Sequence, residues 1–326
     1  KFPPFRKSGF GRRDRSCKFR LWVGSSPQAM ATIGHHKTHA ISNFPFTELA
    51  DMPLPSLLLH HYTSGQGLLG IIDSNSIWST RIQYLNDAKE FSHAIELARI
   101  AIYKRKTERT DERFSVLCEA LTDQLKRLSG LALYVVCFSE VEDSLSQWRG
   151  YCPSGFGYSI GFDGEQLGKI ANAQGFRLQK CIYNEHEQNQ AINQWVERAL
   201  SSASSSCPPS QDPREFLEQT SGLFLNEFIE FAPYMKHNAF SAEREWRLVA
   251  LIPSNDARVK LRPGKSMLIP YAPINLELSI ESTLIWNIRI GPTPHLELAT
   301  NSATHLFNRI RPVNGIGPSF VPYRDW

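Results

Sequence analysis

Leu131-Ala132-Leu133-Tyr134-Val135-Val136-Cys137-Phe138 is the longest strongly apolar run in the chain. It falls far short of the roughly 18–20 residues needed to span a bilayer. A short, continuous apolar run reads as a strand buried on both faces. Upstream, residues 88–128 predict two long helices, with Ile95, Ala98 and Ile102, then Leu117, Leu121, Leu125 and Leu128, at helical spacing. Asp87 with Glu90 three positions later has the logic of a capping box at the first of them. Further upstream, Leu57 to Tyr62 and Ile77 to Thr80 predict short strands, joined by a helix over Gln66 to Asp73.

Downstream, Ser139 to Gly150 is polar and reads as a loop, and Tyr158 to Phe162 as another strand. Helices are predicted over 188–200 and from Pro213 to about residue 232, separated by a Ser/Pro-rich loop at Ser201 to Pro213. Strands are predicted at Glu243 to Leu251, near 266–271, at 284–290 and near Phe320-Val321, with a helix over 295–308. Strands and helices mix without regular β-α alternation. The expected fold is therefore α+β, with mixed or antiparallel sheets and flanking helices, in a single globular domain at 51–326.

Charge divides the chain differently. The 326 residues sum to a formal +4. Residues 1–40 hold nine Lys or Arg against Asp14 alone, a net +8; the rest holds 27 bases and 31 acids, a net −4. Residues 1–50 read as a basic, disordered N-terminal segment. The chain begins at Lys1, and Met30 reads as a candidate start. Phe2, Phe5, Phe10, Phe19 and Trp22 interleave with the bases, a pattern able to bind phosphate backbones and stack bases. No apolar core of signal-peptide length follows them. His35, His36 and His39 have metal-ligand spacing only if helical, and solvated tail histidines are the plainer reading.

Six cysteines without a C-x-x-C give no zinc ribbon or redox pair, and reduced thiols in a cytoplasmic protein are expected. No metal site is expected. Gly155-x-Gly157-x-x-x-Gly161 has the wrong spacing for a dinucleotide fingerprint and precedes a strand, so it reads as turn glycines.

Three segments concentrate polar groups on strands or their ends. In His60-His61-Tyr62-Thr63-Ser64, alternation puts His61 with Leu59 and Thr63 on one face and His60 with Leu58 and Tyr62 on the other. One histidine must face the core or a cleft. Phe138-Ser139-Glu140, with Ser144, Ser146, Trp148 and Tyr151, supplies hydroxyls and aromatics able to hold a flat ligand and its sugar, or simply a loop anchored by a Trp. In Glu243-Arg244-Glu245-Trp246-Arg247, strand alternation would set Glu243, Glu245 and Arg247 on one face, the carboxylates about 7 Å apart. That is either a surface ladder of ion pairs or a carboxylate pair with divided work. In the second case one holds a ribose hydroxyl and stabilises an oxocarbenium ion, and the other orients a nucleophile.

His61-Tyr62-Thr63-Ser64, Ile77-Trp78, Leu85-Asn86-Asp87-x-x-Glu90, Cys137-Phe138-Ser139-Glu140, Trp148-x-x-Tyr151, Gly157 to Phe162, Glu243-x-Glu245-Trp246-Arg247 and Ile288-Arg289-Ile290-Gly291-Pro292 occur in order. Together, over about residues 55–326, they resemble a bacterial family known as domain of unknown function 2971. A second resemblance is to the ADP-ribosyltransferase fold, through His61-x-Thr63, a hydroxyl-aromatic second strand and Glu243-x-Glu245. That resemblance implies NAD as substrate. It implies that His61 and Thr63 hold ribose, that Tyr151 or Trp148 packs on nicotinamide, and that Glu245 is catalytic with Glu243 assisting. Ser139 and Arg247 join the cofactor-binding set. The second strand lacks a Ser-Thr-Ser run, and Tyr62 has no role in this scheme.

Three functions follow. The first is an NAD-consuming transferase or glycohydrolase, a toxin or phage-defence effector with an unknown protein or nucleic-acid acceptor. The second is a non-catalytic sensor or interaction domain whose carboxylates are neutralised by arginines such as Arg247 and Arg149. The third is a nucleic-acid-associated protein acting through its basic segment. None involves a membrane.

Overall fold

The computed structural model describes residues 52–85, 88–152 and 157–322, without the side chains of 88–90 and Phe307. The basic segment 1–50 with its histidines, and the Asp87–Glu90 capping box, lie outside the described residues. Among the described residues ten strands form one sheet: β1 (Leu58–Thr63), β2 (Ser76–Arg81), β3 (Leu133–Ser139), β4 (Tyr158–Asp163), β5 (Arg177–Lys180), β6 (Glu245–Leu251), β7 (Lys260–Pro263), β8 (Leu268–Asn275), β9 (Ile285–Ile290) and β10 (Ile316–Pro318). The order is β10-β9-β4-β1-β3-β2-β8-β7, with β6 on the other side of β3 and β5 beyond it. Among these described strands only β9 and β10 pair in parallel. The helices are α1 (Gly65–Ser74), α2 (Ala88–Thr107), α3 (Glu112–Leu128), α4 (Leu145–Tyr151), α5 (Gly164–Asn172), α6 (Glu185–Ser206), α7 (Pro213–Ile229) and α8 (Leu296–Thr304). This is the expected α+β arrangement of a largely antiparallel sheet with flanking helices.

The apolar run that opened the sequence is the centre of the sheet. Leu133 and Val135 of β3 face a core built with α2, α3, α6 and α7, through residues such as Ala98, Leu121, Trp195 and Phe228. Tyr134, Val136 and Phe138 face the opposite core, with Leu68 and Ile72 of α1 and Leu167 of α5. Each such side chain contributes about 1.5–3 kcal/mol through burial. Helices cover both faces, so β3 has no polar side and its sequence shows no alternation.

The helix ends follow their capping residues. Ser64 accepts from the Gly67 amide, Asp163 from Glu165 and Gln166, Asn184 from His186 and Glu187, and Asp212 from Arg214 with Pro213 in the first turn. Several expectations need correction. The segment Ser139 to Gly150, read as a loop, contains α4, which buries Gln147 and Trp148. The Ser/Pro-rich loop starts only at Cys207. Ala199, Leu200 and Ala203 keep α6 on the core, while its serines occupy the exposed face. Helix α5 and the short strands β5 and β7 were not expected. The final strand is Ile316–Pro318 rather than the Phe320-Val321 pair.

At one turn the backbone must come close. The Gly291 amide donates to the Gly157 carbonyl at 2.9 Å. A Cβ on Gly157 would overlap the Cys152 side chain and lie 2.8 Å from the Thr63 carbonyl oxygen, and one on Gly291 would touch the Trp148 ring at 3.0 Å. We expect Gly157→Ala to lower unfolding free energy by about 1–3 kcal/mol. Urea denaturation measures it, and a wild-type midpoint would show that the approach is not tight.

Candidate functional site

The sheet contains a split. On the side of β3 away from β6, β1 pairs only at Ser139, opposite His60. On that same edge β2 pairs only at Val135 and Tyr134. Elsewhere β1 stays with β4 and β2 with β8. The two halves part over the middle of β3 and leave a cavity of about 710 Å³. Val135 to Phe138 form its floor; His61 and Thr63 of β1 lie on one side and Ser76, Trp78 and Thr80 of β2 on the other. Helix α1 contributes Gln66, Gly67 and Gly70, and α4 contributes Gln147 and Tyr151. Glu243, Glu245 and Arg262 complete the lining used below. The size lies within the range of small-molecule sites.

His61 is the first polar group in the split. Its Nδ1 lies 3.0 Å from the Cys137 carbonyl oxygen, which can only accept, so Nδ1 carries the proton. The bond also satisfies a carbonyl of the β3 edge that neither neighbouring strand reaches. Burial lowers the imidazole pKa, opposed by that same bond. In the neutral ring, Nε2 is then an acceptor. His60, the other histidine, also borders the cavity but is itself buried. Burial is the largest cause of its pKa of about 4, followed by opposing effects of Glu142 and Arg289.

The carboxylates meet in a way that strand alternation does not describe. Strand β6 begins at Glu245, and Glu243 ends a 3-10 turn over Asn238–Glu243. Between them Arg244 takes a left-handed conformation, φ 44°, which breaks the expected run of strand from Glu243. What joins the two carboxylates is Lys236, whose Nζ donates to Glu243 Oε2 at 2.8 Å and to Glu245 Oε2 at 2.5 Å. Alternation does hold for Glu245 and Arg247: Nε donates to Oε1 at 2.7 Å and Nη2 to Oε2 at 3.3 Å. The Arg247 Nη1 donates to the Pro233 carbonyl at 2.8 Å. Burial alone would push the Glu245 carboxyl up, but the charges of Arg247 and Lys236 and the bonds of Arg247 and the Cys137 thiol hold it at about 2. Burial would pull the Lys236 ammonium down, and Glu245 and Glu243 raise it instead.

The sequence-derived residues therefore sort into two groups. His61, Thr63, Tyr151, Glu243 and Glu245 line one cavity. Ser139, Trp148 and Arg247 do not. Ser139 is buried, its hydroxyl donating to the Glu243 carbonyl at 2.6 Å and accepting from the Val141 amide. Trp148 is buried against Tyr62, and its Nε1 donates to Asp143 at 2.7 Å. Arg247 is spent on Glu245 and Pro233. Of the two aromatics offered for nicotinamide, Tyr151 is the one at the cavity, 40% exposed. Glu243 carries the more open carboxylate, its side chain 20% exposed against 4% for Glu245. Sequence reasoning missed Lys236, a lone lysine in no motif, and Arg262 and Trp78, whose strands meet only through β8. No group of three or more His, Cys, Asp or Glu is placed to hold a metal among the described residues. Nor is any described helix long and apolar enough to cross a membrane. Cys118, Cys137, Cys152, Cys181 and Cys207 are free thiols.

Residues 147–248 match a protein-family model described as a protein of unknown function, DUF2971. The matched stretch takes in Trp148, Tyr151, the Gly157 to Phe162 strand and Glu243 to Arg247; the His61-Tyr62-Thr63-Ser64 segment lies outside it. No curated protein and no solved structure matches the chain.

Glu245→Gln leaves Lys236 and Arg247 buried with half their compensation, and is expected to cost about 3–5 kcal/mol. The ionised carboxylate is the form favoured by folding. Its contribution is complete above the ordinary carboxylate pKa of 4.5 and fades as pH falls through that value towards about 2. Urea unfolding from pH 7 to pH 3 should show Glu245→Gln losing most at pH 7 and converging on the wild type in acid. A constant difference across that range would contradict this account.

Proposed function

We propose that the split in the sheet binds NAD and breaks its nicotinamide–ribose bond. The observation that supports this reading is the convergence of His61, Thr63, Tyr151, Glu243 and Glu245, drawn from β1, α4 and the start of β6, on one cavity. His61 Nε2 accepts a ribose hydroxyl and the Thr63 hydroxyl supports it. The Tyr151 ring packs against nicotinamide. As the C1′–N bond breaks, its electron pair neutralises the pyridinium nitrogen, so the leaving group needs no general acid. Glu243 faces the positive charge that develops at C1′. Water or an acceptor then attacks C1′, and its proton passes to Glu243 and on to solvent. An enzyme of this kind depletes NAD or modifies a target, which is the chemistry of a toxin or defence effector. The locked state of Glu245 moves the reactive role assigned to it in the sequence towards Glu243.

That locked state also favours a second reading, a nucleotide sensor without turnover, because Lys236 and Arg247 balance the charge of both carboxylates. One measurement separates the two. Nicotinamide release from NAD by the full chain is expected to fall at least about 100-fold in Glu243→Gln with the melting temperature retained. Release unchanged in that variant removes Glu243 from the mechanism. NAD binding without release establishes the sensor.

A further inference from the structure

The wall of the cavity formed by β2 and β7, with β8 between them in the sheet, has no part in the scheme above. Trp78 lines the cavity and is 42% exposed, although it is among the largest side chains of the protein. Its indole is stacked on Tyr271 of β8, centroids 4.3 Å apart and planes 29° from parallel. Tyr271 pairs with Thr80 across β2 and β8, so the stack is a diagonal cross-strand pair. Its outer face remains available to a planar ring.

Beside it, Arg262 of β7 also lines the cavity. One end of its guanidinium is anchored, Nη2 donating to Thr80 Oγ1 at 3.3 Å. Its Nε is buried and has no hydrogen-bond partner. That Nε is closed off from solvent, so a ligand in the cavity meets the terminal amino groups of the guanidinium. The planar fork of guanidinium N–H groups matches two oxygens of a phosphate.

The position of this wall relative to the carboxylates follows from register. Thr80 lies opposite Val135 of β3, and Glu245 lies opposite Ser139. Four residues of strand separate those levels by about 13 Å. A ligand that places a glycosidic carbon beside Glu243 and extends a diphosphate towards Thr80 covers such a distance.

We propose that Trp78 and Arg262 form the subsite for the base and phosphate of a nucleotide, the indole stacking on the base and the guanidinium holding phosphate oxygens. This rests on reading the split as a nucleotide site, and it names the part of the ligand that His61, Tyr151 and Glu243 do not contact.

Calorimetric titration of the full chain with ADP, adenosine and inorganic pyrophosphate tests it, with circular dichroism checking that each variant is folded. The wild type binds ADP. Trp78→Ala weakens ADP and adenosine by about tenfold or more. Arg262→Gln weakens ADP and pyrophosphate by a similar factor and leaves adenosine unchanged. Arg262→Lys, which keeps the charge without the fork, restores only part of the loss. No ADP binding by the wild type, or ADP binding equally tight in Trp78→Ala and Arg262→Gln, overturns the subsite. Its failure is distinguishable from failure of the reaction. ADP binding that responds to both variants without nicotinamide release refutes turnover and supports the subsite. Release with the same KM for NAD in both variants refutes the subsite and leaves the reaction standing.

Discussion

A strand has two edges, and β3 gives one of them entirely to β6, residue by residue from Leu133 opposite Leu251 to Ser139 opposite Glu245. The other edge is claimed by both β1 and β2, which run in the same direction and are joined by α1 alone. Each holds β3 at one end, β1 by His60 and β2 by Thr80 and Arg81. Each is then drawn away by a longer pairing, β1 by six residues of β4 and β2 by five of β8. The cavity is the geometric result of that competition. It needs no lid or domain interface, because the sheet is open where neither strand can complete its ladder. His61 closes part of the gap by donating to the carbonyl that a neighbouring strand would otherwise engage. The same competition explains why polar residues collect there: side chains at the parting strands face space and not a packed core.

A second constraint acts at the end of the cavity. Lys236, Glu245 and Arg247 are each 3% exposed or less. Burying three charges is tolerable only with mutual pairing and with the remaining donors satisfied, which the Pro233 carbonyl and Glu243 provide. The cluster ties three pieces of chain together: the turn after α7, the 3-10 turn that carries Glu243, and the first residues of β6. Ser139 reinforces the join from β3 by donating to the backbone carbonyl of Glu243. Glu243 thus reaches the cavity on a turn that is fixed from both sides. A carboxylate positioned this way is preorganised without being fully desolvated.

The sequence was legible where one physical signal dominated. Leu131 to Phe138 announced a doubly buried strand, and Leu117, Leu121, Leu125 and Leu128 a helix with one buried face. His61 and Thr63 share a side of β1 by simple alternation and line the cavity, where His60 and Tyr62 also border it. Alternation failed at Glu243 because a single left-handed residue, Arg244, interrupts the backbone, and nothing about an arginine signals that conformation. The polar stretch containing α4 hid a helix because Trp148 is its one large fully buried side chain, and seven residues are too few for periodicity to register. Ser201 to Ser206 read as a loop because serine is a weak helix former, yet tertiary packing of Ala199, Leu200 and Ala203 overrides that preference. Lys236 and Arg262 were illegible for another reason. Each becomes informative only through partners distant in sequence or through the lack of one, and no local pattern records either.

The balance of charge around the split bears on which ligands it can take. Near Ser139, two carboxylates face two cations, and both histidines are held neutral by burial, so the net charge there is close to zero. This neutrality is not featureless. Lys236 and Arg247 lie behind Glu245, and Glu243 presents the more open carboxylate to the cavity, so the first charge a ligand meets is negative. At the level of Val135, Arg262 presents a positive charge. The cavity is therefore polarised along β3, negative at one end and positive at the other, over a distance set by strand geometry. A ligand with a cationic or cation-forming carbon at one end and an anionic group at the other is oriented by that field before any specific hydrogen bond forms. A ligand of uniform charge is repelled at one end. In the reading proposed above, that orientation sets the ribose at Glu243 and the phosphates towards Thr80.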